Sequence, residues 1–392
     1  MQKKLFLFIL LISFLSCSRN EIELLEELNE DNIISENITV EVTEEDDYLI
    51  IIAAGDNLYH NVMVRSGEEG DYEAAYSEIL SLVQSADIAF INQETVLGGR
   101  DFGFTGFPLF NSPQALGRAI SNVGFNVVSH ANNHAMDRGE RALIATMDFW
   151  DTIPEVRVLG IHRSEEARNN PIIMEINNIS VGFLAYSFGT NGIPLPTARP
   201  YMVSLINMEI MESEISALRP LCDFLIVSMH WGNEYQHHYS SRQRELAAFL
   251  AEQEVDLVLG HHPHVLQPVE YIQRPDGRFM LCFYSLGNFI SAQATPPTML
   301  GAMAYIRIKR LPSPNEGERN TFIFVDEGAI PVVTHFEDNW INFKIYPLYA
   351  YSDEIAQRHR KNREEMVLSM DYLTDLSTRV LGVRAIMRNP FD

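Results

Sequence analysis

A chain of 392 residues with 46% apolar side chains holds enough hydrophobic material for a large core, which excludes a disordered or fibrous polymer and points to one big domain, alone or with an appendage. Its 53 acidic against 29 basic groups give a formal charge of −24. That excess excludes a nucleic-acid partner, because binding a phosphate backbone takes a basic footprint that releases counterions.

Residues 1–17 read as a secretory leader. Lys3 and Lys4 supply the positive start, and Leu5 to Leu15 an apolar run too short to span a bilayer comfortably. Cys17, directly after Leu15-Ser16, resembles the acylated cysteine of a bacterial lipobox, although Phe14 stands where leucine is usual. The resemblance implies lipidation of Cys17 and an exported lipoprotein held at the membrane of the cell envelope by this N-terminal anchor. An uncleaved anchor or a plain secretory signal is the alternative, and either keeps the bulk of the chain outside the cytoplasm. Between Arg19 and Tyr48 lie twelve Asp or Glu residues and no Lys or Arg. Such a segment repels itself and buries little, so 18–47 reads as an acidic disordered tether. The expected folded domain covers 48–350, with a C-terminal helical extension over 351–392.

From residue 48 onward one arrangement recurs: a short apolar, β-branched run followed at once by polar residues suited to metal binding. The runs starting at Tyr48, Asp87, Phe125, Phe224 and Asp256 end in Gly55-Asp56, Asn92-Gln93-Glu94, Ser129-His130-Ala131-Asn132-Asn133-His134, His230-Trp231-Gly232-Asn233-Glu234 and Gly260-His261-His262-Pro263-His264. Between them lie segments of helical period. Ser112-Pro113 opens one that Gly124 closes, and Ser240 or Ser241 caps another carrying Leu246, Phe249 and Leu250 on one face. Alternating strands and helices predict an α/β fold with a mixed or largely parallel sheet, whose ligands bind beyond the carboxyl ends of the strands. All five polar clusters fall there.

Further strands are predicted over 281–290, 302–309, 321–326 and 332–346, a surface loop from Pro312 to Asn320, and helix from Asp353 to Leu381. Cys222 and Cys282 lie in apolar runs and read as inert core residues. There is no Cys-x-x-Cys pattern, and hence no indication of a zinc-cysteine site.

Asp, Glu, Asn and His offer hard oxygen and borderline nitrogen ligands, which suit a divalent Mn, Fe, Zn or Mg rather than a thiolate-loving metal. Asp56, Glu94, Asn133, His230, His262 and His264 provide the mixture that one or two ions need. Two cations about 3.5–4 Å apart would clamp a phosphoryl oxygen and activate water, with His134 donating a proton to the leaving group. Three histidines in the four-residue stretch His261 to His264 would crowd unsatisfied imidazoles without a metal or an acidic partner. Asn132-Asn133 also suits a turn, and Asp137 and Gly139 also suit a helix start. Glu234 reads equally as a residue orienting a histidine or as one touching substrate. Asn288 stands beside the site, Trp231 reads as core, and His237 and His238 as surface.

In this order, Gly55-Asp56, Asn132-Asn133-His134-x-x-Asp137-x-Gly139, His230-Trp231-Gly232-x-Glu234, Gly260-His261-His262-Pro263-His264 and Ser285-Leu286-Gly287-Asn288-Phe289 resemble the motif set of the CapA, or poly-γ-glutamate capsule-synthesis, family. The resemblance implies the calcineurin-like metallophosphoesterase sandwich of two mixed β-sheets flanked by helices. It also implies that Asp56, Asn133, His230, His262 and His264 are metal ligands, that Glu94 stands in place of a bridging aspartate, and that His134 is catalytic. One departure matters. Two residues after Asp56 the phosphoesterase pattern has histidine, whereas this chain has Leu58, with His60 two residues further on. A weakened or absent first metal is the consequence to look for.

The implied role is in capsule or poly-γ-glutamate biosynthesis, as a metal-dependent hydrolase acting on an anionic small molecule or polymer. The alternative is a non-catalytic envelope component that binds or exports an anionic polymer. A capsule synthase is the partner such a role suggests.

Overall fold

The computed structural model describes residues 48–391 apart from Gly70, Ala294 and 312–319. The leader, Cys17, the acidic tether and most of the expected Pro312 to Asn320 loop therefore lie outside the described residues.

The chain first lays down β1 (Tyr48–Asn57), β2 (Ile88–Gln93), β3 (Val127–Ser129) and β4 (Arg157–Leu159), which run parallel as neighbours in that order. It then builds a second sheet from β5 (Ile172–Ile176), β6 (Ile179–Ser187), β7 (Phe224–His230), β8 (Leu257–His261), β9 (Val269–Gln273) and β10 (Phe279–Phe283), in the order β5-β6-β7-β8-β10-β9. The pairs from β6 to β10 are parallel, and the edge strands β5 and β9 are antiparallel. Finally the chain returns to the first sheet. β11 (Asn288–Ile290) extends the end of β1, while β12 (Leu300–Leu311), β13 (Thr321–His335) and β14 (Lys344–Pro347) continue outward from the other side of β1 as antiparallel neighbours. The result is α/β, two mixed sheets flanked by helices, as the resemblance implied.

The period of two along each strand decides the layering. In the second sheet Phe224, Ile226, Leu257, Leu259, Leu281 and Phe283 join the core shared with β1. Their neighbours Leu225, Val227, Met229, Val258, Met280 and Cys282 point the other way, into a core closed by two helices, Met208–Leu218 and Ser241–Glu252. Cys222 and Cys282 are buried and unpaired, as expected of core residues.

The Ser240 side chain accepts from Gln243 N–H, and Gln243 accepts in return from Ser240 N–H, which fixes where the second of these helices starts. The helix Gln114–Val123 joins β2 to β3 and ends on Gly124 at φ 119. Its first-turn prediction needs correction: Pro113 occupies the capping position without a side-chain bond, and Ser112 instead contacts Thr95.

Other boundaries shift too. The expected strand over 281–290 is two strands in different sheets, separated by the Tyr284 to Gly287 crossing. The strands expected over 321–326 and 332–346 are divided differently: β13 runs without a break to His335, with a bulge at Val325, and only Lys344–Pro347 of the remainder is strand, β14. The helix expected over Asp353 to Leu381 is two, Asp353–Arg358 and Met370–Leu381, capped separately by Ser352 and Ser369. Asn362 holds the intervening turn through Leu368 N–H (2.7 Å) and Ala356 O (2.8 Å). Leu368, Leu373, Leu376 and Leu381 enter the same core as β1.

Candidate metal centre

The five polar clusters converge at one end of the sandwich because β1, β2, β3, β7 and β8 all finish there. Two glycines make the convergence tight. A Cβ on Gly55 would lie 2.1 Å from Gly287 O, and one on Gly260 would lie 2.1 Å from Tyr284 O. The 284–287 crossing can therefore lie directly over the ends of β1 and β8 only if both residues lack a side chain. Asp56 N–H donates to Gly287 O at 2.9 Å, and Leu286 N–H to Gly260 O at 3.0 Å, locking the arrangement.

Asp56 is fully buried. Its Oδ1 accepts from Asn92 Nδ2 at 2.8 Å, and its Oδ2 accepts from His264 Nδ1 at 3.1 Å and from His262 N–H at 3.2 Å. Burial opposes its charge, yet the contacts with His261 and His264 hold its carboxyl well below the usual range. His264 Nδ1 also lies 3.1 Å from Asn288 Oδ1, which leaves Nε2 directed toward Glu94 Oε1 at 3.8 Å. Asn288 is fixed in turn by donating to Thr298 O and Gln293 Oε1, both at 3.0 Å. The side chain of Asn288 and the backbone of Gly287 thus both serve the site.

Glu94 is the exception to this satisfaction. It is fully buried, and neither of its oxygens has a hydrogen-bond donor among the described residues. Burial, then repulsion from Asp56, Glu234 and Asp137, push its carboxyl well above its ordinary value. Keeping an ionised carboxylate in such a place costs several kcal/mol unless a positive charge accompanies it. Among the described residues no Lys or Arg forms an ion pair with Asp56, Glu94, Asp137 or Glu234, so only a bound cation or a proton can supply that charge.

The imidazoles are prepared for the same role. His230 Nε2 sits 2.9 Å from Asn133 Oδ1 and 3.5 Å from Glu94 Oε1. Burial, then the neighbouring His262, depress its pKa well below 6.5; the same causes, burial and then His264, take His262 down to about 3. Both are therefore neutral at physiological pH, the form that ligates. His262 Nδ1 and both ring nitrogens of His261 are buried with no hydrogen-bond partner among the described residues. His261 lies 3.6 Å from Asp56 Oδ1 and stacks on Phe90.

Three sets of side chains each bring one ligand atom within 4.8 Å of the others: Glu94 with His230 and His262, Asp56 with Glu94 and His264, and Glu234 with His262 and His264. Glu94 belongs to the first two sets, so its carboxylate would serve whichever ion either set held. The donor set is oxygen and imidazole, which fits a hard or borderline divalent cation.

His134 stands beside this centre. Its Nδ1–H donates to Asp137 Oδ2 at 2.6 Å, and Phe110 N–H donates to the same oxygen at 2.7 Å. Asn191 Nδ2 is also 3.3 Å from His134 Nδ1, but the shorter contact to a carboxylate fixes the proton on that nitrogen and leaves Nε2 as the working atom. Asn132 Oδ1 accepts from His134 N–H at 3.1 Å, and Asn132 Nδ2 donates to Gln93 O at 2.9 Å. Asn132 thus ties the His134 loop to the β2 loop.

The structure brings Asp56, Glu94, Asn132, Asn133, His134, Asp137, His230, His261, His262, His264 and Asn288 together and leaves Glu234 exposed at the edge. Leu58 is core, and His60 Nδ1 is within 3.3 Å of both Leu58 O and Ala292 N and can bond only one of them at a time, outside all three sets. Trp231 is core, its Nε1 donating to Tyr284 O at 2.9 Å. His237 Nδ1 bonds Leu266 O at 2.9 Å, stapling its loop.

The sequence reading missed Asn191, whose Oδ1 accepts from Asn133 Nδ2 at 3.1 Å. The signal was present: Ile179 to Tyr186 is a sixth apolar run, β6, and it ends in Ser187-Phe188-Gly189-Thr190-Asn191 just as the other five end in polar residues.

The profile of the family described as bacterial capsule synthesis protein PGA_cap matches residues 50–293, more than half of the chain. Among curated proteins, the chain is 29% identical over 195 residues to the PGA biosynthesis protein CapA of Bacillus subtilis (strain 168), covering 49% of this chain and 50% of that one. It is 27% identical over 197 residues to the capsule biosynthesis protein CapA of Bacillus anthracis, covering 49% and 46%. The match thus spans about half the length of these curated relatives. Among solved structures, a 5'-nucleotidase precursor from Thermus thermophilus shares 14% identity at a TM-score of 0.43, covering 73% of this chain and 54% of that one.

Proposed function

Because the chain belongs to the bacterial capsule synthesis family PGA_cap, we propose that it serves capsule or poly-γ-glutamate biosynthesis as a metal-dependent hydrolase of the cell envelope. The observation that carries the hydrolase reading is Glu94: a buried carboxylate without a hydrogen-bond donor among the described residues, shared by two overlapping sets of candidate ligands. Asp56, Glu94, Asn133, His230, His262 and His264 would hold one or two divalent ions. When bound, such ions supply Lewis-acid charge to an anionic ester, amide or phosphoryl group.

The remaining work falls to the chain. Asp137 keeps the proton of His134 on Nδ1 and orients the ring, so that Nε2 can carry a proton to a leaving group. Asp56 fixes His264 in the tautomer that offers Nε2. Leader cleavage and lipidation at Cys17 would keep the enzyme at the membrane, beside a capsule synthase. No helix among the described residues is long and apolar enough to cross a membrane.

One observation favours a second reading, a non-catalytic component that holds or exports an anionic polymer: Leu58 occupies the place of an expected histidine, and His60 does not replace it. A screen of phosphomonoesters and phosphodiesters with the manganese-loaded protein separates the two. Turnover that disappears in His134→Ala supports the hydrolase, whereas polymer binding without turnover supports the alternative.

A further inference from the structure

Two side chains on the rim of the site are not explained by holding a metal. Phe188 follows β6 and Tyr235 follows β7, and they remain 48% and 51% exposed. Each nevertheless lies against candidate ligands. The Phe188 ring is centred 4.5 Å from that of His262 and 6.3 Å from that of His230, nearly parallel to the latter at 8°. Tyr235 is centred 6.0 Å from His264. Backbone bonds pin both: Phe188 N–H donates to His230 O at 2.9 Å, and Tyr235 N–H to Pro263 O at 2.8 Å.

Tyr235 is also held at φ 62, a left-handed conformation that costs a bulky residue on the order of 1 kcal/mol and that Asn or Gly adopts readily. Half-exposed aromatic faces return little of their burial energy to the fold. A strained tyrosine and an open phenylalanine, each beside a candidate ligand histidine, are better accounted for by something they contact. Glu234 is exposed, and Gln293 donates weakly to the Tyr235 hydroxyl at 3.4 Å. A substrate with several negative charges would meet Glu234 there.

We propose that Phe188 and Tyr235 are specificity residues that receive an uncharged ring attached to the anionic group held at the metal centre. The substrate class is then a sugar or nucleoside phosphate and not a polyanionic chain. Both kinds of ring present a face that packs on an aromatic side chain, and their hydroxyl or amino groups suit Glu234 as an acceptor. This inference rests on the metal-site reading above.

The test is calorimetric titration of the manganese-loaded full chain with inorganic phosphate, glycerol phosphate, glucose 1-phosphate, adenosine monophosphate and a short poly-γ-glutamate. The ring-bearing phosphates bind at least about tenfold tighter than glycerol phosphate. Whichever of the two binds tighter identifies the ring. Phe188→Leu and Tyr235→Asn each remove most of that advantage while manganese content and phosphate affinity stay the same. Tyr235→Asn also raises the melting temperature, which a tyrosine kept only for structure would not permit. The inference is overturned if glycerol phosphate binds as tightly as the ring-bearing phosphates, if the variants weaken phosphate to the same degree, or if poly-γ-glutamate binds tightest. Failure of inorganic phosphate to bind at all sinks the metal-site reading; phosphate binding without a ring advantage sinks this inference alone.

Discussion

His230 Nε2 and Asn133 Oδ1 lie 2.9 Å apart although 97 residues separate them, and they come from different sheets. Both atoms are ligand types, and Glu94 Oε1 stands 3.5 Å from the same nitrogen. The contact joins the loop after β3 to the end of β7, beside Glu94.

Removing the charge of Glu94 should therefore separate stability from metal binding. Glu94→Gln relieves a buried anion and should raise the melting temperature of the metal-free protein. The same change should abolish most of the further rise that manganese gives the parent, since a ligand stabilises only in proportion to its affinity for the folded state. Thermal denaturation with and without manganese measures both, and a metal-free Glu94→Gln protein less stable than the parent would contradict the account.

His134→Ala should retain metal, because none of the three ligand sets includes His134. Its turnover should fall by about 10²- to 10⁴-fold, the usual worth of a positioned proton donor. Asp137→Asn should cost less, since it disturbs only the tautomer and the ring orientation. Equal metal loss in both variants would place His134 among the ligands instead.

Acid should destabilise the protein through the buried, neutral His359. Burial lowers His359 from 6.5 to about 3, and its ring is engaged by Thr334 O and Lys361 N–H. A depressed histidine pKa means that the unfolded chain takes up the proton first. Stability from this group is thus complete above about pH 6.5 and is lost as pH falls toward about 3, by on the order of 5 kcal/mol in all. Urea midpoints measured from pH 7.5 to 4.5 should fall steeply in the parent and less steeply in His359→Gln. Parallel slopes would refute the assignment.

Gly260→Ala should be among the most damaging single changes, because its Cβ would lie 2.1 Å from Tyr284 O and backbone cannot move aside cheaply. A loss of about 1–3 kcal/mol, with loss of metal, is expected. Gly139→Ala, where a Cβ meets nothing within 4 Å but φ is 72, should cost about 1 kcal/mol and leave metal content intact. Denaturant titration with metal analysis compares the two.

The candidate ligands could be picked out of the sequence more readily than the pairing of the strands that carry them. Asp56, His230 and His262 each follow an apolar strand, and an apolar run ending in a ligand-type residue survives without any knowledge of neighbours. Asn191 follows the same rule and was overlooked only because its strand, β6, ends in residues that look like an ordinary turn. What sequence could not show is how strands are partnered. The apolar stretch from 281 to 290 reads as one strand, yet the short Tyr284 to Gly287 crossing moves the chain between sheets, and only the contacts at Gly55 and Gly260 reveal why. Strands expected over 321–326 and 332–346 leave a gap that β13 in fact crosses without a break, its register shift absorbed by a bulge at Val325. Phe188 and Tyr235 carry no motif signal, and their place beside His262 and His264 is visible only in three dimensions.

The most direct test is the metal content of the purified protein by elemental analysis, compared with His264→Ala and Glu94→Gln. The account predicts one to two equivalents of a divalent transition metal or magnesium in the parent and a marked loss in both variants. Content near zero in a folded parent, or full content in both variants, would contradict a cation centre built from these residues.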